Sequence, residues 1–283
     1  MTVAIVTDST CDLDGERARE LGVDVVPLFV NFGDTRYRDR VDLSLEEFYR
    51  KLASEKALPT TAQPTPAAFE DAFRPHVEAG RAIVCITIMA SLSGTINAAT
   101  AAAGTFPGAD IRIVDSGTVT GGLALEVEHA VALAKAGASA DAIVAALAHD
   151  VQTLRGYATV PDLSHAVRTG RVSRAQAFIG SLVKIVPVLR LDSGKVTEHA
   201  RVRTYARALD TMLDAVVAEA NRADGARVCV VHSHAGDEAT KLLARLRERI
   251  TTHMEELELL EAGPVIGTHA GQGAVGIFVL PAV

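Results

Sequence analysis

Residues 83–95 read IVCITIMASLSGT. A charge-free apolar run stops abruptly in small hydroxyl residues and a glycine. An apolar segment of this length, bounded by turn residues, reads as a buried strand turning tightly into a helix. The same alternation extends outward on both sides. VAIVT (3–7) and IRIVD (111–115) are strands, VDVVPLFVNF (23–32) is extended, and GERARELG (15–22) is a helix. SLEEFYRKLAS (44–54) is a helix in which Ser44 and Glu47 fit a capping box. TPAAFEDAFRPHVEAG (65–80) opens with Pro66 in its first turn and aligns Phe69, Ala72, Phe73, His76 and Val77 on one face. Two alanine-rich helices run to about Asp150. Strands separated by helices predict an α/β fold with a parallel sheet and right-handed crossovers.

A second unit begins near Leu154. LRGYATV (154–160) is strand-like and PDLSHAVRTG (161–170) helix-like. LVKIVPVLRLDSGKVTEHA (182–200) is two strands around a glycine-containing turn. In ARALDTMLDAVVAEA (206–220), Leu209, Met212, Leu213, Val216 and Val217 share one side of a helix. ARVCVVHS (226–233) and VGIFVLPAV (275–283) are strands around a further helix, DEATKLLARLRERI (237–250). No repeat or low-complexity linker separates the two units.

The chain has 283 residues, 48% of them hydrophobic, with a mean hydropathy of +0.21. That length suits one large or two ordinary domains. No apolar run approaches the ~20 residues that span a bilayer. MTVAIVTDST (1–10) carries no basic signal-peptide region, and Cys11, Cys85 and Cys229 form no CxxC pair. A reduced, cytoplasmic protein without stable membrane insertion, disulfides or a cysteine metal site is expected. The net charge of −7 argues against nucleic-acid binding. Residues 155–207 nevertheless carry ten Lys or Arg against three acids, about +7, which leaves about −14 elsewhere. That segment reads either as a docking surface or as a scattered solvated face.

Ligands of open parallel sheets bind beyond the carboxyl ends of the strands. Three such ends carry hydroxyls: TDST (7–10), ASLSGT (90–95) and DSGT (115–118). PTTAQPTP (59–66) adds Thr60, Thr61 and Gln63 in a segment its prolines hold extended. Neutral donors of this kind suit a single carboxylate or neutral polar head, and no Walker loop with its lysine is present. Ser93 and Gly94 sit where a helix start would add free amides. The alternative is that Ser93 only caps a helix and PTTAQPTP is only a rigid turn. GQGAVG (271–276) matches G-x-G-x-x-G but lacks a following helix and acidic residue, so a dinucleotide site is not expected. His232 and His234 in HSH lack a third metal ligand and suit a capping or surface role. No G-x-S-x-G surrounds Ser91 or Ser93. A stand-alone hydrolase using Ser93 would need His269 or another histidine as base.

Taken together, the motifs resemble the DegV family of bacterial fatty-acid-binding proteins. The matching pieces are IVTDSTCDL, TTAQPTPAAFEDAF, ITIMASLSGTINAA, IVDSGTVTGGLAL, RTGRVSRAQAFIGSLVKIVPVL, ARVRTYARAL and GPVIGTHAGQGAVGI, in family order over almost the whole chain. TAQP stands where many members have TSQP, and RVRTYARA is less basic than the common form. The resemblance implies two domains. Residues 1–153 would form a three-layer α/β/α domain with a parallel sheet, carrying the carboxylate-binding loops. Residues 154–283 would form an α/β domain with a mixed sheet, covering the acyl chain. It implies one long-chain fatty acid, such as palmitate, between the domains, and no other cofactor or metal. Its carboxylate would be held by Thr61 and Ser93, with His269 and Arg171 nearby. The resemblance also implies no catalysis by the carrier itself. A partner ATP-dependent fatty acid kinase would make acyl-phosphate, and Arg171 and Arg203 match positions associated with presentation to it.

Overall fold

The computed structural model describes residues 2–55, 57–161, 164–170 and 185–282. The strands are β1 (Val3–Asp8), β2 (Asp24–Val26), β3 (Phe29–Phe32), β4 (Thr35–Arg38), β5 (Thr60–Ala62), β6 (Ala82–Thr87), β7 (Ile111–Asp115), β8 (Arg155–Thr159), β9 (Val186–Asp192), β10 (Lys195–Val202), β11 (Gly225–His232), β12 (His253–Glu261) and β13 (Val275–Pro281). The helices are α1 (Gly15–Leu21), α2 (Leu45–Ser54), α3 (Pro66–Glu78), α4 (Thr95–Ala103), α5 (Gly121–Lys135), α6 (Ala140–Thr153), α7 (Ser164–Arg168), α8 (Tyr205–Ala220), α9 (Gly236–Arg249) and α10 (Pro264–Ala270).

The first half builds a parallel sheet in the order β2-β1-β6-β7. β1 and β6 are the inner strands and are apolar along nearly their whole length, because helices cover both faces. Phe69 and Phe73 of α3 and Ala98, Ala99 and Ala102 of α4 pack on one face. Leu123, Val127 and Val131 of α5, with Ile143 and Leu147 of α6, pack on the other. This is the expected α/β/α layering around a parallel sheet. Caps match the sequence: Ser44 Oγ accepts from Glu47 N at 3.2 Å, and Thr65 precedes Pro66 in α3.

The second half forms a mixed sheet, β10-β9-β8-β13-β11-β12, parallel only between β11 and β12. The turn joining β9 to β10 is Ser193–Gly194, both with positive φ, as a tight hairpin requires. Helices α8 and α9 cover one face through Met212, Leu213, Val216, Leu242 and Leu246. The other face meets α5, whose Leu125 packs with Phe278 of β13. Helix α5 is therefore wedged between the two sheets and is buried on nearly every side.

Two expectations change in detail. The segment 59–66 is more than a turn: Thr60–Ala62 is an edge strand on β3, in a small antiparallel sheet ordered β4-β3-β5. The helix after the 83–95 stretch starts at Thr95 with Gly94 as its N-cap, so Ser93 stands one residue outside.

Candidate functional site

Between the two sheets lies a cavity of about 440 Å³, a size typical of small-ligand sites. Ala158, Leu189, Val231 and Phe278 of the mixed sheet form one wall, and Ile88, Leu92 and Val119 face them from the first half. The polar lining is sparse beside the apolar one and includes Thr61, Gln63, Ser93 and His269, with Thr120, Thr159, His232 and Ser233. Among the described residues, no lysine or arginine lines the cavity.

Each of these polar groups is positioned by its own element. Thr61 is presented by β5, paired to Val30 of β3. Its Oγ1 lies 2.9 Å from Nε2 of His269, in the last turn of α10. Ser93 sits on the loop leaving β6. That loop is fixed by Ile88 N donating to Asp8 at 2.8 Å, Ala90 N donating to Asp115 at 3.1 Å, and Ser91 Oγ donating to Gly194 O at 2.9 Å. Ser93 Oγ is 2.9 Å from Thr95 Oγ1 and accepts weakly from Thr95 N at 3.3 Å. Gln63 bridges β5 to this loop. A Cβ added to Gly94 would lie 2.3 Å from Gln63 Oε1, so a side chain there would displace the Gln63 amide from the loop.

Helix α10 carries His269 but has only seven residues, and it is held by carboxylates that lie far away in sequence. Asp12 Oδ1 accepts from Gly263 N at 2.8 Å, and Asp39 Oδ1 accepts from Val265 N at 3.1 Å. Thr120 donates to the other oxygen of Asp12, and Ser9 Oγ donates to Asp39 at 2.7 Å. Asp8 accepts from Thr10 N at 3.0 Å and from the Thr10 hydroxyl. Arg40 brings the compensating charge, with Nε 3.6 Å from Asp12 and Nη2 donating to Glu261 O.

Burial is the main cause of the unusual acidity here. It pushes Asp8 up to about 6 and Asp39 to about 7, against the pull of their hydrogen bonds. It raises Asp12 as well, with Arg40 pulling it back. The folded state thus holds these protons more tightly than an unfolded chain, whose aspartates titrate near ~4. Stability from this cluster is fullest below ~4 and declines as pH rises to about 7, then levels off. Thermal melting is expected to fall by a few degrees between about pH 5 and about pH 8. Asp39→Asn should flatten that decline, and an unchanged slope in the variant would refute the assignment.

Of the residues singled out from sequence, Thr61, Ser93 and His269 line this one cavity. Arg171 lies outside the described residues. Arg203 is exposed, between β10 and the N-cap Thr204 of α8, away from the lining. Two of the three hydroxyl-bearing strand ends turn inward instead. Thr7 donates to Ile86 O, Ser9 to Asp39 and Ser116 to Thr118 O, so these side chains serve the scaffold. Among the described residues the hydroxyl of Ser93 hydrogen-bonds with Thr95 and the Nε2 of His269 with Thr61, and no hydrogen bond joins Ser93 to His269.

His232 and Ser233 line the cavity, a position their sequence did not suggest. His232 Nδ1 accepts from Ala235 N at 3.3 Å, which is the capping role, and burial lowers its basicity. Among the described residues no group of three metal-ligating side chains is placed to hold an ion, and no helix is long and apolar enough to cross a membrane. The G-x-G-x-x-G match is a turn into a strand. Gly271 ends α10, Gly273 donates to Ser233 O at 2.7 Å and accepts from Tyr205 Oη at 2.6 Å, and Gly276 lies in β13.

Known proteins share this whole architecture. A DegV domain-containing protein of Halalkalibacterium halodurans is 37% identical over 276 residues, 97% of each chain. A solved structure described as fatty acid binding of a DegV family protein from Thermus thermophilus superposes with a TM-score of 0.93 at 33% identity, covering 100% of both chains. A stearic acid-binding protein from Eubacterium ventriosum gives a TM-score of 0.90 at 27% identity, over 99% of this chain and 98% of its own. The family model described as DegV family matches residues 2–282, and the chain belongs to that family.

Proposed function

We propose that this protein binds one long-chain fatty acid between two domains, residues 1–153 and 154–283, and presents its carboxylate to a partner ATP-dependent fatty acid kinase. The observation that carries this reading is the apolar cavity whose lining includes Thr61, Ser93 and His269, with Thr61 Oγ1 2.9 Å from His269 Nε2 and no lysine or arginine among the described lining residues. Fatty-acid binding by the related Thermus and Eubacterium proteins supports it. In this reading the acyl tail lies along the mixed sheet and the head rests at Thr61, Ser93 and His269. A tail of ~14 methylenes offers roughly 11 kcal/mol of gross burial. Carboxylate hydrogen bonds add about 1.5–3 kcal/mol each, and association costs at least ~4 kcal/mol. The tail supplies affinity and the head sets register. The hydroxyls of Thr61 and Ser93 carry no formal charge and leave the carboxylate nucleophilic, which suits a head that reacts on a partner enzyme. The chain acts as a carrier without catalysis of its own. Its buried cysteine thiols fit a cytoplasmic setting.

Native mass spectrometry of the purified protein tests the binding, with lipid extraction to identify the acid. A mass increment of one acyl chain is expected, and a protein that stays empty when offered palmitate would sink the reading. Presentation is tested separately with Arg203→Glu, whose exposed position leaves the cavity intact. Acyl-phosphate formation by the kinase should fall and grow more salt-sensitive while fatty-acid affinity holds. Full phosphorylation in that variant would remove the docking role.

A further inference from the structure

The register of the mixed sheet shows where the cavity stops. Leu189, Ala158, Gly276 and Val231 are cross-strand neighbours in one row. All four line the cavity. Two residues further along, on the same face, the next row is Val196, Leu191, Gly156, Phe278 and Cys229. Here Val196, Leu191 and Phe278 still touch the cavity, while Gly156 and Cys229 do not. Leu280, one row beyond, is buried and touches none of it. The open space therefore runs over Ala158 and Gly276 and ends against the ring of Phe278.

Four glycines make room for that ring. A Cβ on Gly156 would lie 2.6 Å from Phe278 Cε1, and one on Gly122 would lie 2.9 Å from Cδ1. On Gly121 it would lie 3.1 Å from Cδ2, and on Gly276 3.2 Å from Cε2. The first turn of α5 and the neighbouring strands thus clasp the ring from several sides. Phe278 is 1% exposed. On the sides of these glycines the ring has no room to retreat, so a ligand pressing on it from the cavity meets a packed wall.

We propose that Phe278 is the end wall that sets how long an acyl chain the cavity accepts, an inference that rests on the fatty-acid reading above. Phe278 is none of the proposed head residues Thr61, Ser93 and His269 and carries no polar atom, so changing it alters the apolar end of the cavity while leaving every head hydrogen-bonding group in place. Gly276 has the complementary effect. It lines the cavity beside the ring, in ordinary strand backbone, and a methyl there takes space from the tail.

The test uses the whole protein and an equimolar mixture of saturated acids from lauric to behenic. Wild type, Phe278→Val and Gly276→Ala are each loaded and freed of excess lipid, and the retained acids are identified by mass spectrometry. Phe278→Val is expected to move the most abundant retained acid about two carbons longer, as the vacated ring volume fills. Gly276→Ala should move it shorter by about one or two carbons. An unmoved profile in the folded variants overturns the end wall. If Phe278→Val does not fold, Gly276→Ala decides the matter by the same criterion. Wild type that retains no acid overturns the fatty-acid reading itself, and the end wall with it.

Discussion

Thr61→Ala is expected to weaken fatty-acid binding roughly ten- to a hundredfold. One hydrogen bond to a charged head contributes about 1.5–3 kcal/mol, and each 1.4 kcal/mol is a factor of ten. The hydroxyl of Thr61 also lies 2.9 Å from His269 Nε2, so its loss removes one contact that orients the imidazole. Ser93→Ala is expected to weaken binding over the same range, because it also removes one hydroxyl donor from the lining. Titration calorimetry with palmitate measures both, alongside melting curves that report an intact fold. Wild-type affinity in both variants would remove these residues from the head site.

Asp12→Ala is expected to destabilise the protein by about 3–5 kcal/mol, the usual result of removing one partner of a buried ion pair. That corresponds to a melting temperature lower by roughly ten degrees. Asp12 is 1% exposed and touches three separate segments: Thr120 at the start of α5, Gly263 ahead of α10, and Arg40. The alanine variant leaves the Gly263 amide without its acceptor and the half-buried Arg40 without its nearest carboxylate. Asp12 also has φ of 59°, a left-handed conformation that asparagine tolerates well. Asp12→Asn therefore separates the two effects, keeping the backbone while deleting the charge. An alanine variant melting within about two degrees of wild type would show that the cluster is not a structural clasp.

The strand–turn–helix at 83–95 and the alternation around it were legible because both inner strands are buried on two faces, which forces continuous apolar runs. Strand β12 was not. Four of its nine residues are glutamate, and among the described strands it is at the sheet edge beside β11, so no apolar run marks it. Helix α10 was also missed, since seven residues are too few for a helical period. Its Gly267 reflects contact with Phe48, whose Cε1 would lie 2.6 Å from an added Cβ. Hydroxyl-rich strand ends pointed toward a neutral polar site, and one of the three, with Thr61 from the neighbouring edge strand, does line the cavity. Of the other two, TDST turns inward for a reason no local pattern carries, since the partners Asp39 for Ser9 and Ile86 for Thr7 come from other strands and loops, whereas Ser116 of DSGT closes on Thr118 O two residues away. The pairing of Thr61 with His269 spans 208 positions, and that of Asp12 with Gly263 spans 251. Contacts at such separation are fixed by topology, and only the family resemblance placed Thr61, Ser93 and His269 side by side beforehand.

Strand β13 occupies the middle of the mixed sheet, between β8 and β11, yet the ribosome makes it after every other described strand. Until it emerges, β8 and β11 have no partner on their inner edges, and the first turn of α5 has no aromatic ring to enclose. The nascent chain thus carries two unfinished sheet edges and an uncovered helix face until synthesis passes residue 281, a state open to misassociation. The ligand chamber does not exist before that point. An acid that fits only the finished chamber would act only once β13 is in place and draw a late-closing ensemble toward the native form by mass action. Lipid supply would then govern the yield of folded protein as well as its loading.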